Sequence, residues 1–219
     1  MIISPLSRPR AVIFDWDNTL VDSWVCIQES YNTTFRYFGM PEWSLDETQD
    51  RVAASMRDSF PTMFGERWPE ARDVFTASFE AIHMEHLRPL PGAAEMLGSL
   101  RDAGLVLAVV SNKRGSFLRK EADIMGWSPF FAHLIGADDA VADKPDAAPV
   151  HLALASTGVS PGPEVWFVGD SPIDMHCAVN SGCVPVLMRP HPPYDGEFAH
   201  APVRYLSGCG DLADLVREL

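Results

Sequence analysis

Short, fully apolar runs rich in β-branched residues recur along the chain, separated by stretches of helical length. Ala11–Phe14, Leu105–Val110, Val165–Val168 and Val184–Met188 have this character, and Ala132–Ile135 is a weaker fifth. A strand covered on both faces needs no polar alternation, so such runs predict buried strands of a parallel sheet. The segments Ala93–Ala103, Phe117–Met125, Ala147–Thr157 and Pro172–Asn180 predict the helices between them.

Strand and helix in alternation give an α/β class fold, here a Rossmann-like parallel sheet core with helices on both faces. The interval from Val21 to Arg88 breaks the pattern, since it contains no convincing strand. It reads as helices over Trp24–Phe38, from after Ser44, and over Glu70–Leu87. Ser44 and Glu47 have capping-box spacing, and Gly39, Pro41, Pro61, Gly65 and Pro69 punctuate helix ends. One crossover needs one helix, so residues 21–88 are expected to form an inserted α-helical cap domain. Residues 1–20 and 89–219 then make up the core, with Leu87–Gly92 as the return linker.

Seventeen basic against thirty acidic side chains give a net charge of -13, which repels a phosphate backbone at long range. No nucleic-acid or anionic-membrane partner is expected, whereas a small phosphorylated substrate is compatible, because a bound cation and a lysine reverse the sign locally. No apolar stretch has the length of a membrane span, and Met1–Arg10, broken by Pro5 and Pro9, does not read as a leader. Cys26, Cys177, Cys183 and Cys209 lack Cys-x-x-Cys spacing and read as reduced thiols of a cytoplasmic protein.

Four strand ends carry the chemistry. The first reads Asp15-Trp16-Asp17-Asn18-Thr19, and alternation along a strand lets Asp15 and Asp17 face one side. Two adjacent carboxylates repel unless a cation or a shared proton intervenes; an acidic surface turn is the plainer alternative. The second end is Ser111-Asn112-Lys113, a hydroxyl able to donate to a phosphate oxygen or simply a loop cap. Next comes Asp143-Lys144-Pro145, in a chain with only three lysines, where Pro145 suits a first helical turn. Last is Gly169-Asp170-Ser171-Pro172-Ile173-Asp174, with Asp170 at a strand end, Asp174 one turn on, and Ser171 or Asp170 as cap.

In that order the four segments resemble the motifs of the haloacid dehalogenase superfamily, the Asp-nucleophile phosphatases. The helical insert after the first motif resembles the cap of the phosphoglycolate-phosphatase-like branch. The resemblance implies Asp15 as nucleophile and Asp17 as general acid and base. It implies Mg²⁺ held by Asp15, the backbone carbonyl of Asp17 and Asp170, with Asp174 in support. Ser111, Asn112 and Lys144 would bind the phosphoryl group, and Thr19 would orient the first loop. Two residues depart from the usual pattern. Asn18 stands where many relatives have Gly, and Asn tolerates positive φ. Trp16 replaces a smaller aliphatic residue.

Asp17 favours phosphoryl transfer over dehalogenation, since a halide leaves without a proton. The insert lacks lysine, which disfavours Schiff-base phosphonate cleavage and, less strongly, mutase chemistry. A phosphohydrolase acting on a small phosphorylated metabolite is expected. Pyrophosphatase or phosphotransferase activity, and a phosphate-responsive binding protein, are the alternatives. Within the insert, six arginines face twelve carboxylates. Arg51 and Arg57 are the candidates for reading the substrate, against a solvated helix face. His83 and His86 read as an exposed face or a metal pair, and His176 as structural. Arg189–Gly196 reads as a surface loop without function. Monomer and homodimer both remain open.

Overall fold

The computed structural model describes residues 6–52 and 54–219. Residues 1–5, the start of the segment read as no leader, and Ala53, within the insert, lie outside the described residues. The chain opens with β1 (Ala11–Phe14), β2 (Val21–Asp22), α1 (Trp24–Phe38), α2 (Leu45–Arg51), α3 (Met56–Phe64), α4 (Trp68–His86) and β3 (Arg88–Pro89). It continues with α5 (Ala93–Asp102), β4 (Val106–Arg114), α6 (Gly115–Ile124), β5 (His133–Ala137) and α7 (Ala148–Ala153). The last elements are β6 (Val165–Gly169), α8 (Pro172–Asn180), β7 (Val184–Met188), β8 (Arg204–Leu206) and α9 (Cys209–Glu218).

Six strands form one parallel sheet in the order β5-β4-β1-β6-β7-β8. β1 is central, with Phe14 opposite Val109 on one side and Val168 on the other. The strands are apolar on both faces, yet their side chains still alternate. Val12, Phe14, Leu107, Val109, Trp166 and Val168 meet α5, α6 and α9 through Met96, Leu97, Leu118 and Leu212. Ile13, Ala108, Val110, Val165 and Phe167 meet α7 and α8 through Val150, Ala153, Cys177 and Ala178. This two-sided covering is why the strands carry no polar face.

The insert folds around its own aromatic centre, in which Tyr31, Phe35, Phe60, Phe75 and Phe79 pack with Phe117 of α6. Tyr31 lies 5.0 Å from Phe75 and 5.8 Å from Phe60, centroid to centroid. Ser44 and Glu47 close the capping box expected of them.

Several elements differ from the sequence reading. The insert is joined to the core by an antiparallel ribbon of β2 and β3, where no strand and a plain linker were expected. Two residues per strand leave no periodic signal. Pro61 sits inside α3 rather than at a helix end, and the helix runs three residues further to Phe64, followed by Gly65 at φ 57°. α7 ends at Ala153 instead of Thr157, and Ser156 and Gly158 follow at positive φ. Pro145 does not start that helix: Ala148 does, with Asp146 Oδ1 accepting from its N–H at 2.7 Å. Among the described residues no helix is long and apolar enough to cross a membrane.

Candidate active site

The ligand-binding edge of an open parallel sheet is the one at the carboxyl ends of its strands, and four such segments converge beside β1. The Asp15 N–H donates to the Val168 carbonyl at 2.9 Å, so the ladder fixes the backbone up to the first carboxylate. Alternation then turns Trp16 into the core, fully buried, while Asp15 and Asp17 both face one cavity. Asn18 supplies the left-handed turn at φ 61°, and its Oδ1 accepts from the Ser23 N–H at 3.2 Å. Trp16, the outsized middle residue, is edge-on to Trp127 at 5.8 Å.

Lys144 reaches the floor of this cavity from the loop before α7. Asn112 clasps its backbone on both sides, accepting from the Lys144 N–H at 3.0 Å and donating to its carbonyl at 3.1 Å. The ammonium donates to Asp15 Oδ1 and to Asp174 Oδ1, each at 2.7 Å. Burial works against its charge, but the two carboxylates outweigh that and push the ammonium's pKa up. Ser111 is buried on the same wall, its Oγ accepting from the Lys113 N–H at 3.2 Å.

Asp170 follows β6, and Asp174 sits in the first turn of α8. Asp174 Oδ2 accepts from the Ser171 N–H at 3.1 Å and the Ser171 hydroxyl at 2.6 Å, which makes Ser171 the cap. Asp170 Oδ1 accepts from Thr19 at 3.1 Å. Thr19 is fully buried and off the cavity wall, so it steadies Asp170 rather than facing a substrate.

One oxygen each of Asp15, Asp170 and Asp174 lies within 4.8 Å of the others. Burial, together with the charges of Asp174 and Asp17 and against that of Lys144, raises Asp15 to about 6. Burial, then the charges of Asp174 and Asp15, holds Asp170 well above the ordinary carboxylate range. Three crowded carboxylates facing one ammonium are short of positive charge. The donor set is all oxygen, which suits a hard divalent cation such as Mg²⁺. Both oxygens of Asp174 already accept hydrogen bonds, from Lys144 and from Ser171.

Lys113 is a site residue that the sequence reading passed over. Its ammonium lies 2.6 Å from Asp17 Oδ1 and 2.7 Å from Glu121 Oε2. Burial opposes its charge, but Asp17 and Glu121 outweigh burial and raise it. Glu121 is fully buried and also accepts from Trp16 Nε1 at 2.7 Å and pairs with His83 Nδ1 at 2.7 Å. Burial alone would raise the Glu121 carboxyl, but the hydrogen bond to His83 and the Lys113 charge hold it below its ordinary value. A chain of polar contacts thus runs from α4 of the insert through α6 to the second aspartate.

The cavity has a volume of about 720 Å³ and extends from the carboxylates to the insert. Arg189, His191 and Tyr194 line it, which corrects the reading of Arg189–Gly196 as a loop without a place in the site. Arg189 donates to the Asp170 carbonyl at 3.3 Å and pairs with Glu197 at 2.6 Å. Arg51 and Arg57 do not line the cavity. Arg51 pairs with Glu47 at 3.0 Å and covers the Trp43 ring, while Arg57 pairs with Asp138 and Asp143 of the core. His83 is buried against Glu121, not on an exposed face, while His86 is exposed. His176 is exposed and lies 4.8 Å from the His200 ring.

Comparison with known proteins agrees with this arrangement. The sequence profile of the haloacid dehalogenase-like hydrolases matches residues 12–188. A phosphoglycolate phosphatase of Caulobacter vibrioides is 31% identical over 81% of this chain and 78% of its own length. The pyrophosphatase PpaX of Bacillus velezensis is 27% identical over 80% of this chain and 81% of its own. Among solved structures, a HAD-superfamily hydrolase from Ehrlichia chaffeensis is 28% identical with a TM-score of 0.67, covering 97% of this chain and 98% of its own. A haloacid dehalogenase-like family hydrolase from Streptococcus pneumoniae, 20% identical, shares the fold with a TM-score of 0.82 over 95% of this chain and 98% of its own. With the family's profile spanning the segments that hold Asp15, Ser111, Lys144 and Asp170, the chain belongs to the haloacid dehalogenase-like hydrolase family and stands as an enzyme with that family's phosphatases.

Proposed function

We propose that this protein is a Mg²⁺-dependent phosphatase that hydrolyses a small phosphomonoester through an aspartyl-phosphate on Asp15. The observation that carries this reading is the pairing of each motif-one aspartate with its own buried lysine in one cavity: Asp15 with Lys144 at 2.7 Å, Asp17 with Lys113 at 2.6 Å. Two carboxylates in different electrostatic settings can take two different roles.

In the first half-reaction a carboxylate oxygen of Asp15 attacks phosphorus, and the bond from phosphorus to the alcohol oxygen breaks. Asp17 gives its proton to that oxygen, so the leaving group departs as a neutral alcohol. In the second half Asp17 takes a proton from the incoming water, whose oxygen bonds to phosphorus. Inorganic phosphate leaves, and the Asp15 carboxylate is restored. Ser111 and Lys144 hold the phosphoryl oxygens, with Asn112 fixing the Lys144 backbone. A bound Mg²⁺, held by Asp15, the Asp17 carbonyl and Asp170 with Asp174 in support, supplies charge neutralisation at the phosphoryl oxygens.

Residues 21–88 act as a cap over the core of 1–20 and 89–219, closing the cavity on the leaving-group side. Four free, buried thiols support a reducing, cytoplasmic setting. The test is phosphate release from a panel of phosphate esters with Mg²⁺ and with EDTA, run beside Asp15→Asn. Metal-dependent release that disappears in the folded variant supports the reading. Equal release by the variant contradicts it.

A further inference from the structure

The part of the cavity that lies beyond the phosphoryl site has a definite chemistry. Its wall on the insert side is made by Trp24, Ile27 and Tyr31 around α1, Met56 of α3, and Phe75 and Phe79 of α4. Trp24, Ile27 and Met56 are half-buried, whereas Phe75 and Phe79 are buried side chains that show only an edge to the cavity. Among the described residues of the insert that line the cavity, none is cationic and Asp50 is the one charged side chain.

The cations that do touch the cavity come from the core. Lys144 is held by Asp15 and Asp174, Lys113 by Asp17 and Glu121, and Arg189 by Glu197. Arg114, exposed at the end of β4, is the remaining one. A second anionic group on the substrate would therefore meet mainly rings and aliphatic side chains on the insert side, with Gln49 and Ser55 as neutral polar groups and Asp50 as a carboxylate. The volume of about 720 Å³ also exceeds what a phosphate with a two-carbon acid fills, and falls in the range that takes much larger ligands.

We propose that the alcohol released is neutral and apolar, an aromatic alcohol whose ring lies against Ile27, Met56 and Phe75. This rests on the phosphatase reading above and narrows it to phosphate esters of ring-bearing alcohols, away from phosphoglycolate and pyrophosphate. Burying the ring removes apolar surface from water in both the bound and the transition state, so the preference appears in kcat/KM.

The experiment compares benzyl phosphate, 2-phosphoglycolate, glycerol 3-phosphate and pyrophosphate on the wild-type protein with Mg²⁺. p-Nitrophenyl phosphate serves as the undemanding reference. Benzyl alcohol, glycerol and glycolate are all alkanols that need a proton to leave, so the ranking of these three esters is not set by leaving-group acidity. A kcat/KM for benzyl phosphate at least about tenfold above the other three is the expected result, a modest value for an apolar contact of this size. Met56→Arg, which places a cation on the wall, should then raise KM for benzyl phosphate and lower it for 2-phosphoglycolate.

Turnover of 2-phosphoglycolate or pyrophosphate as fast as benzyl phosphate would overturn the proposal and leave the phosphatase reading standing. If that turnover were lost in Arg114→Ala, Arg114 would be the reader of a second anion. Absence of Mg²⁺-dependent release from every ester, p-nitrophenyl phosphate included, would overturn both readings together. The wild-type ranking decides the matter even if Met56→Arg fails to fold.

Discussion

The ammonium of Lys113 bridges Asp17 at 2.6 Å and Glu121 at 2.7 Å, so the second aspartate of the first motif is held from behind by a buried ion pair. If Asp17 delivers the proton to the leaving oxygen, Lys113 is its positioning residue. Lys113→Met should then lower kcat for alkyl phosphates by about tenfold or more, within the range general acid catalysis supplies. p-Nitrophenyl phosphate, whose leaving group needs no proton, should lose far less. Steady-state kinetics on the two ester classes checks this; an equal loss on both would show that Lys113 only holds the fold.

Glu121 accepts from Trp16, His83 and Lys113, three donors on three separate stretches of the chain, with no exposure of its own. Glu121→Leu strands Trp16 and His83 and leaves Lys113 with Asp17 alone, and should cost about 3–5 kcal/mol, as breaking a buried charged pair does. Glu121→Gln keeps acceptor capacity for Trp16 and should cost less. Because the folded-state pKa of Glu121 is depressed, its contribution is present above the unfolded pKa and lost as pH falls through the folded one. Urea unfolding across pH should therefore show a flatter acid limb in Glu121→Gln than in wild type.

Gly169 lies at the end of β6, where an added Cβ would sit 2.3 Å from Asp174 Cγ. Asp174 cannot yield without losing Lys144 and Ser171. Gly169→Ala should thus destabilise the protein by about 1–3 kcal/mol through overpacking and also weaken Mg²⁺ binding. Denaturant unfolding and the Mg²⁺ dependence of phosphate release test the two effects separately.

Burial pushes the Cys26 and Cys209 thiols up to about 11 and Cys177 up to about 12. Only the thiolate reacts readily, so the folded protein at pH 8 should label slowly with a thiol-disulfide reagent. Full labelling should follow on adding denaturant. Rapid labelling of the native protein would contradict the burial of these side chains.

The chemistry was readable because Asp15, Ser111 and Asp170 stand at or just past apolar runs, with Lys144 in the loop after a fourth, and a parallel sheet brings such ends together. Asp15, Ser111, Lys144 and Asp170 are local signals whose meaning is set by their order. The support around them was not readable. Glu121 lies 105 residues from Trp16 and 38 from His83, and no local pattern announces contacts at that separation. His83, with Glu80, Glu85 and His86 close by in the sequence, looks exposed until α6 covers it. Arg189–Gly196 has a surface-loop composition and is largely exposed, yet it forms one rim of the cavity. Arg51 and Arg57 were chosen by their place in the insert, whereas nearby carboxylates of α2 and the core claim their charge.

The central claim is that Asp15 carries the phosphoryl group and Asp17 moves the protons. Asp17→Ala with p-nitrophenyl phosphate tests it most directly, since the first half-reaction needs no acid there and the second lacks its base. A burst of about one p-nitrophenol per active site is expected, with the phosphoryl group on the Asp15 peptide after acid quench. No burst and no label on that peptide, with Mg²⁺-dependent turnover persisting in Asp15→Asn, would contradict it.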